Sequence, residues 1–151
     1  MNRRNFLNFA GGLIALSVVP MNLKASDYRK LKPKVWEAHT IDDATKALYG
    51  VKDVIETDKI TISVPKINSS GGAVPVKFET SLEAKTVALF QDANPESAVA
   101  VYETNKYDLQ KYDVKIKMAE SGTIMVLVEA NDGKIYMAQA KTEVAAGGCE
   151  G

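Results

Sequence analysis

The stretch "TIMVLVEANDGKIYMAQAKTEV", residues 123–144, decides the fold. Its first six residues are almost unbroken apolar, too few for a buried helix and rich in β-branched side chains. That predicts a central strand covered on both faces. Asn131, Asp132 and Gly133 follow, residue types that tolerate a left-handed backbone and together a strong hairpin signal. Residues 134–144 then pair back on the first strand. Working outward, a period of two recurs. Ile60, Ile62 and Val64 alternate with Thr61 and Ser63, and Val74, Val76 and Phe78 with Pro75, Lys77 and Glu79. Tyr112, Val114, Ile116 and Met118 alternate with Asp113, Lys115 and Lys117. "TVALF" (86–90) and "AVAVYE" (98–103) are two more strands, separated by the turn-forming "DANPES" (92–97). About seven short strands at this spacing predict an all-β protein, an immunoglobulin-like antiparallel β-sandwich. A small closed barrel is the alternative.

Upstream, residues 26–58 read as a polar helical segment that joins the same domain. Thr40 with Asp43 three residues later is an N-cap signal. Ile41, Ala44, Ala47 and Leu48 make one apolar stripe, Gly50 ends it, and Trp36 anchors the segment on the core. Residues 1–25 have the layout of an export signal: basic Arg3 and Arg4, an apolar run, and small residues at Ala25 and Ser26 for cleavage. Paired arginines before Phe6 and Leu7 are the twin-arginine type, which exports folded proteins. The apolar part, residues 6–20 with Asn8 inside, is too short for a comfortable membrane span. No cysteine follows it, which disfavours a lipid-anchored lipoprotein. The expected location is therefore the periplasm, with no membrane association after cleavage.

Nineteen basic and nineteen acidic residues leave no net charge, and aromatics are only 7%. A broad nucleic-acid surface and a base-stacking platform are thereby disfavoured. One histidine, His39, and one cysteine, Cys149, exclude a histidine cluster and an internal disulfide. No HExxH and no phosphate-cradling GxGxxG exists, so metal and nucleotide sites have no support. His39 reads as a surface or capping residue, and Asp42 and Asp43 as solvated charges at a helix start.

The sequence closes with "AAGGCEG", residues 145–151. Five residues from Ala145 to Cys149 reach at most about 17 Å, and Gly147 and Gly148 leave the backbone free to swivel. Residues 145–151 therefore read as a flexible arm carrying a thiol. A mobile tail cannot hold that thiol in register with a base, which argues against nucleophilic catalysis. Glu150 and the carboxylate of Gly151 disfavour the thiolate by like charge. An exposed thiol in an oxidising compartment is a liability unless it is used. Cys149 is thus a handle that partner enzymes must activate.

The twin-arginine leader, "GGAVPVKFETS" (71–81), "ALFQDANPESAVAVYE" (88–103), "EANDGKIYMAQAKTEV" (129–144) and "GGCEG" (147–151) together resemble the SoxY family. The resemblance implies a non-enzymatic carrier of sulfur intermediates in periplasmic thiosulfate oxidation, with Cys149 as the covalent attachment point and no cofactor of its own. It implies that the haem enzyme SoxAX couples thiosulfate to the thiol, giving a cysteine S-thiosulfonate. SoxB then hydrolyses off sulfate, and in some organisms SoxCD oxidises the remaining sulfane sulfur. A heterodimer with SoxZ is implied too. The family's usual ending is GGCGG, so Glu150 is a departure that adds bulk and negative charge beside the carrier sulfur. "VALF" and "AVAVYE" are the candidates for the partner face on hydrophobicity. A binding module whose cysteine only links two chains, and a redox protein that uses Cys149 catalytically, are the competing functions.

Overall fold

A computed structural model of the chain describes residues 26–50 and 53–145. Among the described residues, three short helices come first: α1 (Tyr28–Leu31), α2 (Pro33–Trp36) and α3 (Ile41–Tyr49). The Asp27 side chain caps α1 by accepting from the Arg29 amide, and Pro33 opens α2 where its missing N–H is harmless. Thr40 Oγ1 caps α3 by accepting from the Asp43 amide at 3.1 Å. Gly50, at φ 79°, ends α3 and donates its N–H to the Lys46 carbonyl.

Nine strands follow among the described residues: β1 (Val54–Glu56), β2 (Ile60–Ser63), β3 (Ile67–Asn68), β4 (Val74–Thr80), β5 (Ala84–Gln91), β6 (Ala98–Glu103), β7 (Lys111–Ile116), β8 (Gly122–Ala130) and β9 (Ile135–Val144). One sheet has the order β1-β9-β8-β5-β6, with β3 also pairing β9; the other is β2-β4-β7. The two sheets face each other as separate layers, so the sandwich stands and the closed barrel does not. Long strands pair antiparallel, whereas the short β1 and β3 run parallel to β9.

The unbroken apolar runs of β5 and β8 are explained by a third layer. Val87 and Leu89 of β5, with Ile124, Val126 and Val128 of β8, face the small sheet and join Val74, Val76 and Phe78. Ala88 and Phe90, on the opposite face of β5, pack with Leu127, Ile135, Val35, Ala44 and Leu48 beneath the helices. A strand covered on both faces has no polar side to show, so alternation disappears. Trp36 packs at the margin of that helical core, with the Arg29 guanidinium 4.1 Å over its ring.

Three details differ from the sequence expectation. Helix ends at Tyr49 rather than running towards residue 58, and Val54–Glu56 is a strand against β9. Gly50 breaks the helix, and the β-branched Val54 and Ile55 then suit an edge position. β3 was not anticipated, because two residues carry no periodicity. In the β8–β9 turn only Gly133, at φ 82°, is left-handed. The turn is therefore not the two-residue type that needs two positive φ angles. Asp132 Oδ1 accepts from the Lys134 amide at 3.0 Å, and the Tyr136 hydroxyl donates to Asp132 Oδ2 at 2.8 Å.

Candidate functional site: the root of the C-terminal arm

The end of β9 carries the cysteine-bearing segment, so its anchorage defines the site. β3 lies along the last two residues of β9, with Ile67 beside Glu143 and Asn68 beside Val144. The Glu143 amide donates to the Lys66 carbonyl at 2.8 Å, and the Ala145 amide to the Asn68 carbonyl at 2.9 Å. On the other side, the Val144 amide donates to Ser121 Oγ at 2.9 Å. Three consecutive bonds of this kind fix the direction in which the chain leaves the sandwich.

A buried polar knot holds β3 in place. Asn68 Nδ2 donates to Thr142 Oγ1 at 2.7 Å, and Thr142 Oγ1 donates to the Pro65 carbonyl at 2.7 Å. Thr142 is 2% exposed and Asn68 8%, so water does not compete for these groups. Gly71 fits closely against the same region: a Cβ there would lie 2.1 Å from the Met118 carbonyl oxygen and 3.1 Å from Val144 Cγ1. Two neighbouring loops are tied down as well. Asp92 Oδ1 accepts from the Thr123 amide, while Asn94 donates to the Lys117 carbonyl and accepts from the Ala119 amide. This end of the sandwich is a tied-down platform around the last described residues, Val144 and Ala145.

The sequence had marked Cys149, Gly147, Gly148, Glu150 and Gly151 for the arm and Arg3 and Arg4 for export; all lie outside the described residues. Ala145 is described and sits at the platform. Four further residues carry the chain from it to Cys149, a span of at most about 14 Å. His39 is exposed and its Nδ1 lies 2.8 Å from the Pro95 carbonyl oxygen, a tie between helical layer and the 92–97 loop. "VALF" is corrected as a partner face: Val87, Ala88, Leu89 and Phe90 are each at most 1% exposed. β5 lies between β6 and β8 with both faces covered, so nothing outside the chain reaches it. "AVAVYE" is edge strand β6, half-buried over Ala98–Tyr102, and does reach the surface.

Asn68, Thr142 and Ser121 escaped the sequence reading. A signal for Thr142 existed. It shares the parity of Tyr136, Ala138 and Val144, which face the inter-sheet core, so it is an inward hydroxyl in need of a partner. Asn68 lies in a two-residue strand and Ser121 in a loop, and neither has a pattern to mark it.

The ionisable groups form no catalytic constellation among the described residues. Burial pushes Tyr49, Tyr102 and Tyr112 above the usual tyrosine range, which keeps them protonated. The Lys134 amide, then the Tyr136 hydroxyl, hold Asp132 below the usual carboxylate range. No group of three His, Cys, Asp or Glu suited to a metal ion is found among these residues, and none of their helices is long and apolar enough to cross a membrane. What the arrangement does is pin the end of β9, from which the sequence continues to Cys149.

The family described as "Sulfur oxidation protein SoxY" matches residues 45–149. Among solved structures, the sulfur carrier protein SoxY from Chlorobium limicola f thiosulfatophilum is 30% identical with a TM-score of 0.65. The match covers 74% of this chain and 96% of that one. A superoxide reductase (neelaredoxin) from Ignicoccus hospitalis is 13% identical with a TM-score of 0.51, over 58% of this chain and 80% of its own. A putative superoxide reductase from Thermotoga maritima is 18% identical with a TM-score of 0.50, over 65% and 90%. These last two share the fold alone. No curated protein matches.

Proposed function

The chain belongs to the SoxY family, and from that premise we propose that Cys149 is the covalent attachment point for sulfur intermediates. As a family member the protein is a sulfur carrier in Sox thiosulfate oxidation, a substrate-bearing subunit rather than an enzyme. The observation that supports Cys149 is its position. It is the only cysteine in the sequence, it lies four residues beyond the anchored Ala145, and the family match extends to it. A pinned root and a glycine-rich arm let one sulfur enter several partner clefts while the sandwich stays docked.

The chemistry needs two electrons removed elsewhere. Thiosulfate joins the Cys149 thiol through a new S–S bond; one proton and two electrons leave, the electrons going to the haem enzyme SoxAX. The product is a cysteine S-thiosulfonate. SoxB then adds water across the bond between the sulfane sulfur and the sulfonate, releasing sulfate and a proton and leaving a persulfide. SoxCD, where present, oxidises that sulfur further. Gly147 and Gly148 supply the swivel, and Glu150 and Gly151 enter the cleft with the cargo. The carrier works as a heterodimer with SoxZ in the periplasm, delivered folded through the Arg3–Arg4 signal.

Intact mass of the mature protein from thiosulfate-grown cells, purified without reductant, tests this. The expected result is a mass gain matching bound sulfur or a sulfur oxoanion, removed by reductant and absent from Cys149→Ser. A clean mass, or only a cysteine-linked dimer, would overturn the attachment role and favour a binding module.

A further inference from the structure

We propose that the open edge of β6, with the 104–110 loop beside it, is the docking surface for the carrier's second subunit. An edge strand of that subunit adds to β6. The inference rests on the heterodimer reading above and gives it a location.

The large sheet has two ends, and they are treated differently. At the β9 end, short β1 and β3 cover the edge. At the β6 end, β5 is the only strand paired to β6 among the described residues. Natural sheets guard an open edge with charge, proline or very short strands. β7, the neighbouring edge of the small sheet, is guarded in this way by Lys111, Asp113 and Lys115, with ion pairs Lys111–Glu79 at 2.8 Å and Lys77–Asp113 at 3.1 Å. β6 carries no charge and no proline from Ala98 to Tyr102, and those five residues are all half-buried. A bulge opposite the Leu89–Phe90 step interrupts only its beginning.

The pairing register identifies the groups on offer. The Thr104 amide donates to the Lys85 carbonyl at 3.0 Å, and Tyr102 and Ala100 stand opposite Val87 and Leu89. Antiparallel alternation then turns the N–H and C=O of Val101 and Glu103 away from β5, towards the open side. Backbone groups in a row of this kind are recognised by another strand. Beside them the loop presents Tyr107 and Leu109, 81% and 82% exposed. The loop is stiffened from within: Asn105 Oδ1 accepts from the Tyr107 amide at 2.9 Å and Asp108 Oδ1 from the Gln110 amide at 2.7 Å. A rigid display of tyrosine and leucine next to the uncharged run Ala98–Tyr102 suits an interface core.

The unguarded strand selects its occupant by charge. A charged edge laid on Ala98–Tyr102 would lose water and gain no ion pair, so the partner strand is uncharged as well. The position of the arm agrees. β9 is three strand spacings from β6, roughly 14 Å, and residues 146–151 continue from the β9 side. A subunit on β6 leaves that side open, so docking and cargo delivery do not compete.

The test is affinity for co-expressed SoxZ, measured with the full mature chain. Glu103→Pro removes an outward N–H without touching the β5–β6 ladder. Tyr107→Ser with Leu109→Ser strips the exposed apolar pair. Each variant is expected to bind SoxZ about tenfold more weakly or worse, with unchanged melting, while Cys149→Ser binds as wild type does. Binding of both variants within about twofold of wild type overturns the β6 surface and leaves the heterodimer reading standing. No binding by wild type overturns the heterodimer reading and this inference with it. Self-association of wild type that these variants abolish assigns the edge to a second copy instead, which also overturns the proposal.

Discussion

Replacing Thr142 with Val removes one hydroxyl at nearly constant shape, and the arm root should register it in two ways. The hydroxyl bonds to Asn68 Nδ2 and to the Pro65 carbonyl, each at 2.7 Å. After the change the carbonyl keeps only the 3.4 Å contact from Asn68 Nδ2. Weakening the buried Asn68 amide costs about 1.5–2 kcal/mol, and the Pro65 carbonyl, on an exposed residue, about 0.5–1 kcal/mol. The added methyl returns about 0.8 kcal/mol by burial. The net loss is therefore about 1.5 kcal/mol, which at this chain length lowers Tm by about 6 °C, at roughly 4 °C per kcal/mol. Thr142→Ser keeps the hydroxyl and should lose only about 1 kcal/mol, for a methyl. The local consequence is more specific. β3 pairs β9 over two residues only, so the amides of Glu143 and Ala145, which donate to Lys66 and Asn68, should exchange with solvent markedly faster. Thermal unfolding by circular dichroism and residue-resolved hydrogen exchange read the two effects. A Thr142→Val protein that melts within about 2 °C of wild type and keeps the Glu143 and Ala145 amides protected would refute the anchoring argument.

Gly71→Ala places a Cβ against the Met118 carbonyl oxygen; chemical denaturation should show a loss of about 1–3 kcal/mol from overpacking, with the same amides exposed. Asp132 supports the β8–β9 turn with a carboxyl held below its ordinary value of 3.8. A lowered folded value means the contribution is present above the unfolded value and is lost as pH falls through the folded one. The Tm gap between wild type and Asp132→Asn should therefore stand at pH 7 and close on acidification below that point. Glu150→Gly removes one negative charge beside an anionic adduct. At about 4 Å in water that repulsion is worth about 1 kcal/mol, so thiosulfate coupling should quicken about fivefold at low salt and the difference should shrink in high salt. Equal coupling rates for the two proteins at low salt would show that the glutamate faces a compensating cation in the partner cleft.

The strands with a clear period were legible because side chains alternate between core and solvent wherever one face is buried. Ile60, Val76 and Ile116 announce their elements in this way. β8 was legible for the opposite reason, an unbroken apolar run that only a doubly covered strand tolerates. Thr40 and Gly50 marked both ends of α3 because capping is local chemistry. The proposal for Cys149 rests on its residue type and place in the sequence, and the family match over residues 45–149 rests on the same linear pattern. β1 and β3 were not readable, since strands of three and two residues form only where β9 supplies the partner groups. The Asn68–Thr142 bond joins positions 74 residues apart, and no local signal links them. Hydrophobicity alone ranked "VALF" and "AVAVYE" together as partner faces; sheet order separates them, because the middle of a sheet is closed to any partner and its edge is not. Composition and local pattern thus determined which segments are strands and which residue carries the thiol. Tertiary structure decided which apolar strand stays at the surface and how the end of β9 is tethered, because both depend on groups that only long-range pairing brings together.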